Sequence, residues 1–270
     1  MRSKPIILLP FIVIAFLESL ALELIYFSTR FPISLAANPI INKFLGEPFT
    51  HYPGNLMFLP KFFYYAQVLI YVFFGVLLGA ATINIVKNLK ENLPIRIKAI
   101  IKNALRNYLS FLLFGIFVII VIFFLKESTI FLYGKGLRFL SRHFNLIPPA
   151  FSIASLTISL FLTNIFMQAL LISTIPIMVI EKRTLLKSLW MSIALGIRNF
   201  LTILSLITLP FLIYLPFNML KTFSSQLIDK TVPEINLYVT ALSIVVAIFV
   251  DSFTTVCVAQ FILDRKSLVK

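Results

Sequence analysis

Leu93–Leu109 reads LPIRIKAIIKNALRNYL, and Leu185–Leu201 reads LLKSLWMSIALGIRNFL. Both stretches are basic and amphipathic, and each lies between two long apolar runs. Shifted by 92 residues, Leu105-Arg106-Asn107-Tyr108-Leu109 falls on Ile197-Arg198-Asn199-Phe200-Leu201. A short charged helix held twice between membrane-length runs reads as a polytopic membrane protein with a parallel internal duplication. The repeat units cover approximately residues 60–125 and 150–220 of a single membrane domain, with the first and last spans as additions. In the first stretch Ile97, Ile100, Ile101, Ala104, Leu105 and Tyr108 share one helical face, while Lys98, Lys102 and Arg106 recur at i, i+4 and i+8 on the other. Pro94 suits the first turn of this helix. In the second stretch the matching face is Leu189, Ser192, Ile193, Gly196, Ile197 and Phe200, with Lys187 and Arg198 as cations. Both segments are expected to lie flat among headgroups, where each Lys or Arg near an anionic leaflet gains about 1 kcal/mol. Their simplest role is setting topology and anchoring. The sharper role is docking of anionic lipid headgroups or a protein partner at Lys98, Lys102, Arg106, Lys187 and Arg198.

The chain is 60% hydrophobic and 13% charged. A soluble domain of 270 residues cannot hide that much apolar surface, so lipid is the solvent for most of it. A span needs about 20 apolar residues to cross roughly 30 Å of hydrocarbon. Six candidates qualify: Pro5–Phe27, Phe62–Val86, Tyr108–Leu125, Ala150–Ile180, Phe200–Phe217 and Leu237–Leu263. The fold class is therefore an all-α integral membrane bundle of six transmembrane helices. A net charge of +14 raises nucleic acid as a partner, but the placement of the charges argues against it. Fifteen of the 24 cations fall on one side: Arg2, Lys4, those from Lys87 to Arg106, those from Lys182 to Arg198, and Arg265, Lys266 and Lys270. The excess of positive charge on the inner side then predicts a multi-pass protein of the cell membrane with both termini cytoplasmic. The first apolar run is too long for a signal-peptide core and holds two glutamates, so it reads as an uncleaved span. The lone Cys257 supports neither a disulfide nor a thiolate metal site within one chain.

Between spans, the proline-rich stretch from Ser28 to Lys61 is expected to lie along the interface, with a turn at His51-Tyr52-Pro53-Gly54. The stretch Lys126–Pro149 reads as a second outer loop carrying a separate interfacial helix over Thr129–Phe144. Gly75 and Gly79, four apart in the second span, read as a close helix-packing contact.

Ionisable groups inside spans are costly and are functional candidates by default. Glu18, Glu23 and Asp251 qualify, with Glu23 near the outer interface. Glu18 sits roughly 21 Å in from Lys4, and Asp251 roughly 17 Å in from Ile262, at about 1.5 Å per residue. Both lie near midplane without a Lys, Arg or His at that depth. Each must be protonated, hydrogen-bonded or bound to a cation. Asn164 and Gln168, at i and i+4, are polar candidates to join them in an ion or proton site. The alternative is two neutral carboxyls hydrogen-bonded within the bundle. No His-Glu-x-x-His, Gly-x-Ser-x-Gly or phosphate-loop pattern is present, and metal chemistry would require His51, Glu47 and His143 to converge. No catalytic residue, metal site or cofactor is assigned, and the chain does not read as an enzyme.

The second copy carries Pro176 and Glu181, then Leu185 and Ser188-Leu189-Trp190, then Arg198-Asn199 and a new span. Over about 45 residues, Pro176 to Leu220, this resembles a group of six-span membrane domains that includes the membrane domain of some glycerophosphoryl diester phosphodiesterases. The resemblance implies an all-helical membrane domain of a prokaryotic plasma-type membrane, with Glu181 as the matching acidic position. The soluble phosphodiesterase domain has no counterpart here, so that activity is not implied. Glu181 is expected to cap the next helix or to pair with Lys182, Arg183 or Lys187. The leading functional expectation is a non-enzymatic membrane protein that organises a lipid or protein partner through its basic cytoplasmic face. The runner-up is an ion- or proton-coupled transporter using Glu18 and Asp251. A dry, packed core would favour the first, and a cavity reaching Asp251 the second.

Overall fold

The computed structural model describes residues 5–44, 46–51, 54–144, 149–228 and 234–268. Among them there are helices and no strands. In chain order these are α1 (Leu9–Phe27), α2 (Ser34–Phe44), α3 (Gly54–Ile70), α4 (Val76–Lys90), α5 (Ile97–Arg106), α6 (Tyr108–Phe144), α7 (Pro149–Leu171), α8 (Thr174–Glu181), α9 (Leu185–Arg198), α10 (Phe200–Ile228) and α11 (Ile235–Leu268). Six segments are long and apolar enough to cross a membrane: Leu9–Phe27, Leu59–Lys90, Tyr108–Leu132, Ile158–Glu181, Phe200–Phe217 and Ile235–Arg265. The protein is an all-α, multi-pass membrane protein. Phe16, Phe74, Phe123, Phe124, Phe249 and Phe253 point outward from these spans, where acyl chains replace water. The turn read at His51–Gly54 includes residues 52–53, which lie outside the described residues.

Helix α11 packs against α10, α4, α3 and α8, and α1 packs against both α3 and α11. The first and last spans are therefore neighbours, and α3 touches both. Two spans are interrupted. Between α3 and α4 the chain makes a π turn over Tyr71–Gly75, in which the Val76 N–H bonds the Tyr71 carbonyl, an i→i−5 bond. Between α7 and α8 the cause is Pro176, whose ring lacks the N–H that would bond the Ile172 carbonyl and crowds that oxygen. On the side of the basic helices, Ile83, Val86, Ile177, Ile180, Ile262 and Leu263 form a buried core. Lys90 of α4 forms an ion pair with Asp264 of α11 at the same end.

The two helix junctions keep the register read from the sequence. Helix α5 ends at Arg106 and α6 begins at Tyr108; α9 ends at Arg198 and α10 begins at Phe200. In each the intervening asparagine caps the first helix, with the Asn107 N–H on the Ala104 carbonyl (3.2 Å) and the Asn199 N–H on the Leu195 carbonyl (2.9 Å). Each asparagine carbonyl then accepts the N–H four residues on, from Phe111 and Ile203. The entries are alike too, since Asn92 and Lys182 both adopt the left-handed conformation (φ 54° in each).

The helical faces differ from expectation. Only Ile100 and Ala104 of the apolar face of α5 are buried, Ile100 packing with Ala81 and Ile85 of α4, while Ile97, Ile101 and Leu105 stay exposed. In α9, Ser192 and Gly196 were expected to face lipid, but both are buried with Ser188 and Leu195. The Ser192 hydroxyl donates to the Leu170 carbonyl at 2.7 Å, which ties α9 to the broken end of α7. Leu186, Trp190, Ala194 and Ile197 of α9 and Leu201 at the start of α10 are exposed, one apolar stripe beside the exposed cations Lys187 and Arg198. Trp190 is the only tryptophan of the chain, which makes this testable without labelling. Its emission is expected to be blue-shifted in liposomes, quenched by lipids brominated near the headgroup and insensitive to aqueous iodide. Emission like that of tryptophan in water would contradict the membrane contact.

Two further expectations are corrected. Tyr108–Phe144 is one continuous helix, not a span followed by a loop and a separate helix. Lys126-Glu127-Ser128-Thr129 is polar but contains no proline, so nothing ends the backbone hydrogen bonding there. At neither glycine of the second span is another helix among the nearest contacts of an added Cβ. A Cβ at Gly75 would strike the ring of Tyr71 on the same helix at 2.9 Å, and a Cβ at Gly79 would meet nothing within 4 Å. The close helix approaches are at Gly115, where Val76 Cγ1 and the Val72 carbonyl lie 3.3 and 3.5 Å from a Cβ, and at Gly196. Among the connections, α2 carries exposed Leu35 and Ile40, in keeping with a place on the interface.

Candidate functional site

Both midplane carboxyls meet the second span. Glu18 of α1 is 1% exposed, and the Gln67 amide donates to its Oε1 at 2.6 Å. Asp251 of α11 accepts a hydrogen bond from the Tyr71 hydroxyl. Gln67 and Tyr71 are one helical turn apart, so a single turn of the second span, across the end of α3 and the start of the π turn, holds both acids. Tyr71 opens the π turn, and Gly75 leaves the room that its ring occupies. Gly75 is thus a positioning residue: any side chain there displaces the tyrosine that holds Asp251.

Asp251 is partly exposed because it faces a cavity of about 630 Å³. Every span contributes to the wall: Ile14 from the first, Gln67, Tyr71 and Gly79 from the second, Phe114 and Gly115 from the third. Asn164 and Gln168 come from the fourth, Phe211 and Tyr214 from the fifth, and Asp251, Thr254 and Thr255 from the sixth. Asn164 and Gln168 share the face read from their spacing and both line the cavity. Both are also exposed, as is Ile122 of α6, so the cavity opens on the side of α6 and α7. Ile83 belongs both to its wall and to the buried core on the side of the basic helices. No Lys, Arg or His lines the cavity among the described residues.

No family model, no curated protein and no solved structure matches this chain.

The remaining candidates lie elsewhere. Lys98, Lys102, Arg106, Lys187 and Arg198 are all exposed on α5 and α9, and none of them lines the cavity. Glu23 is exposed on α1. Glu181 pairs with Arg183 at 3.6 Å (Nε to Oε2). The side chain of His143 lies outside the described residues, and among those described no three His, Cys, Asp or Glu side chains cluster as a metal site requires. Gln67, Tyr71 and Tyr214 were not singled out from the sequence. The available signal was an amide and a phenol one turn apart inside an apolar run, the same signal that marked Asn164 and Gln168. Chemically the arrangement offers an acid held by a phenol, amides and hydroxyls at the mouth, and apolar and aromatic walls. It can bind and orient a small molecule.

Proposed function

We propose that the protein is a membrane carrier that houses a small solute between its spans, with Asp251, held by Tyr71, as the polar anchor and Asn164 and Gln168 at the entrance. The observation that carries this reading is the cavity itself, at bilayer depth, walled by all six spans and reaching a carboxyl. Interrupted helices add support. Transporter sites commonly form where spans are broken, and here a π turn interrupts the second span and Pro176 the fourth, with Tyr71 and Pro176 both on the cavity wall. On this reading both termini and the basic helices face the cytoplasm. The exposed cations of α5 and α9, set beside exposed apolar side chains, anchor the protein to anionic headgroups. A role in organising a partner through that face alone would leave the cavity without a purpose.

The test uses the single native thiol. In a Cys257→Ser background, Gln168→Cys should react with a thiosulfonate, which requires an ionised thiol in contact with water. Ile203→Cys, from a site that is 0% exposed, should stay silent. A folded protein in which position 168 is as unreactive as 203 would remove the carrier reading.

A further inference from the structure

We propose that the cavity selects organic cations, amphipathic amines or onium ions, and excludes anions of the same shape. This rests on the carrier reading and names its substrate class. Three observations carry it. The only ionisable carboxyl or amine on the described wall is Asp251, and no Lys, Arg or His faces it, so an anion would enter beside a carboxyl with no counter-charge. Phe11, Phe114, Phe211, Tyr71 and Tyr214 line the same space, and ring faces attract cations, most strongly where water is excluded. The volume of about 630 Å³ lies within the range of roughly 300–1,000 Å³ that takes drug-sized ligands. A bare metal ion fits poorly. Hard cations want about six oxygen ligands, whereas these walls are mostly Ile, Val and Phe with a single carboxyl. An onium or ammonium head at Asp251, with its apolar groups among the phenylalanines, satisfies both kinds of wall. Glu18 stands behind Gln67 and off the wall, where it fixes the amide rather than meeting the solute.

The experiment compares two ions of matched shape, tetraphenylphosphonium and tetraphenylborate, and a smaller neutral relative, triphenylphosphine oxide, on the full-length protein in nanodiscs of zwitterionic lipid. Affinity is measured by equilibrium dialysis, and occupancy by protection of Gln168→Cys in the Cys257→Ser background. The expected result is tetraphenylphosphonium binding at least about tenfold more tightly than either other probe, a difference of about 1.4 kcal/mol. Asp251→Asn should abolish that preference, and Asp251→Glu should restore it. Equal binding of the three probes would overturn the charge selection while leaving the carrier reading intact. So would reactive thiol at position 168 with no protection by the cation. The comparison among probes uses native Asp251, so it decides the matter even if Asp251→Asn does not fold. Failure of the carrier reading has a separate signature, an unreactive thiol at position 168.

Discussion

Glu18→Leu is expected to lower the stability of the bundle by about 1–3 kcal/mol, and Gln67→Leu added to it should return part of that loss. Glu18 is 1% exposed and accepts from the Gln67 amide at 2.6 Å, near the middle of the first span. Removing the acceptor alone leaves the amide donor facing leucine, so the bond on that side is lost without a partner to replace it. Removing both partners substitutes packed apolar surface for a polar pair, which is far less costly. A double-mutant cycle, read by unfolding in mixed micelles, therefore expects a coupling energy of about 0.5–3 kcal/mol. Additive single effects would mean that the pair does not act as a unit. Glu18→Gln, which keeps an acceptor for Gln67, is expected to lose little.

Gly196→Val is the second large effect. A Cβ at Gly196 would lie 3.0 Å from both the Ala169 carbonyl and the Leu170 Cα. These are backbone atoms at the end of α7, where the Ser192 bond to the Leu170 carbonyl also docks α9. Neither can move aside without shifting a span, so the cost should reach or exceed the usual overpacking range of about 1–3 kcal/mol. Gly79→Ala is the matched control. Nothing lies within 4 Å of its Cβ, and alanine is the better helix former by about 1 kcal/mol, so stability should hold or rise. Melting of the solubilised protein, followed by size-exclusion profile, separates the two. Equal melting temperatures for both glycine variants would contradict the close approach of α9 to α7.

Much of this architecture was legible because the bilayer imposes a length. The six spans follow from apolar run length, and the Arg-Asn junctions from the repeated pentapeptide, with helix ends falling at Arg106 and Arg198. Glu18 and Asp251 stood out in the sequence as ionisable groups within spans, and their relation to each other did not. They are brought together by Gln67 and Tyr71 only because the second span touches both α1 and α11, a tertiary fact with no local signature. The π turn is equally silent, since Tyr71-Val-Phe-Phe-Gly75 suits an ordinary helix and departs from one only through an i→i−5 bond. The small-residue spacing misled for a related reason. Spacing reports which residues share a face, not what that face meets, and Gly79 meets the cavity where Gly196 meets a helix. The buried face of α9 was missed in the same way, because Ser188, Ser192 and Gly196 are chosen for close docking rather than hydrophobicity.

The most direct measurement is modification by dicyclohexylcarbodiimide, which attacks protonated carboxyls in apolar surroundings, with the modified residues located by peptide mass spectrometry. Asp251 faces the cavity and Glu18 is sealed behind Gln67. The carrier account predicts modification at Asp251, little at Glu18, and protection of Asp251 when the cavity is filled. Modification of neither acid, or of Glu18 in preference to Asp251, would contradict a cavity that delivers solutes to Asp251.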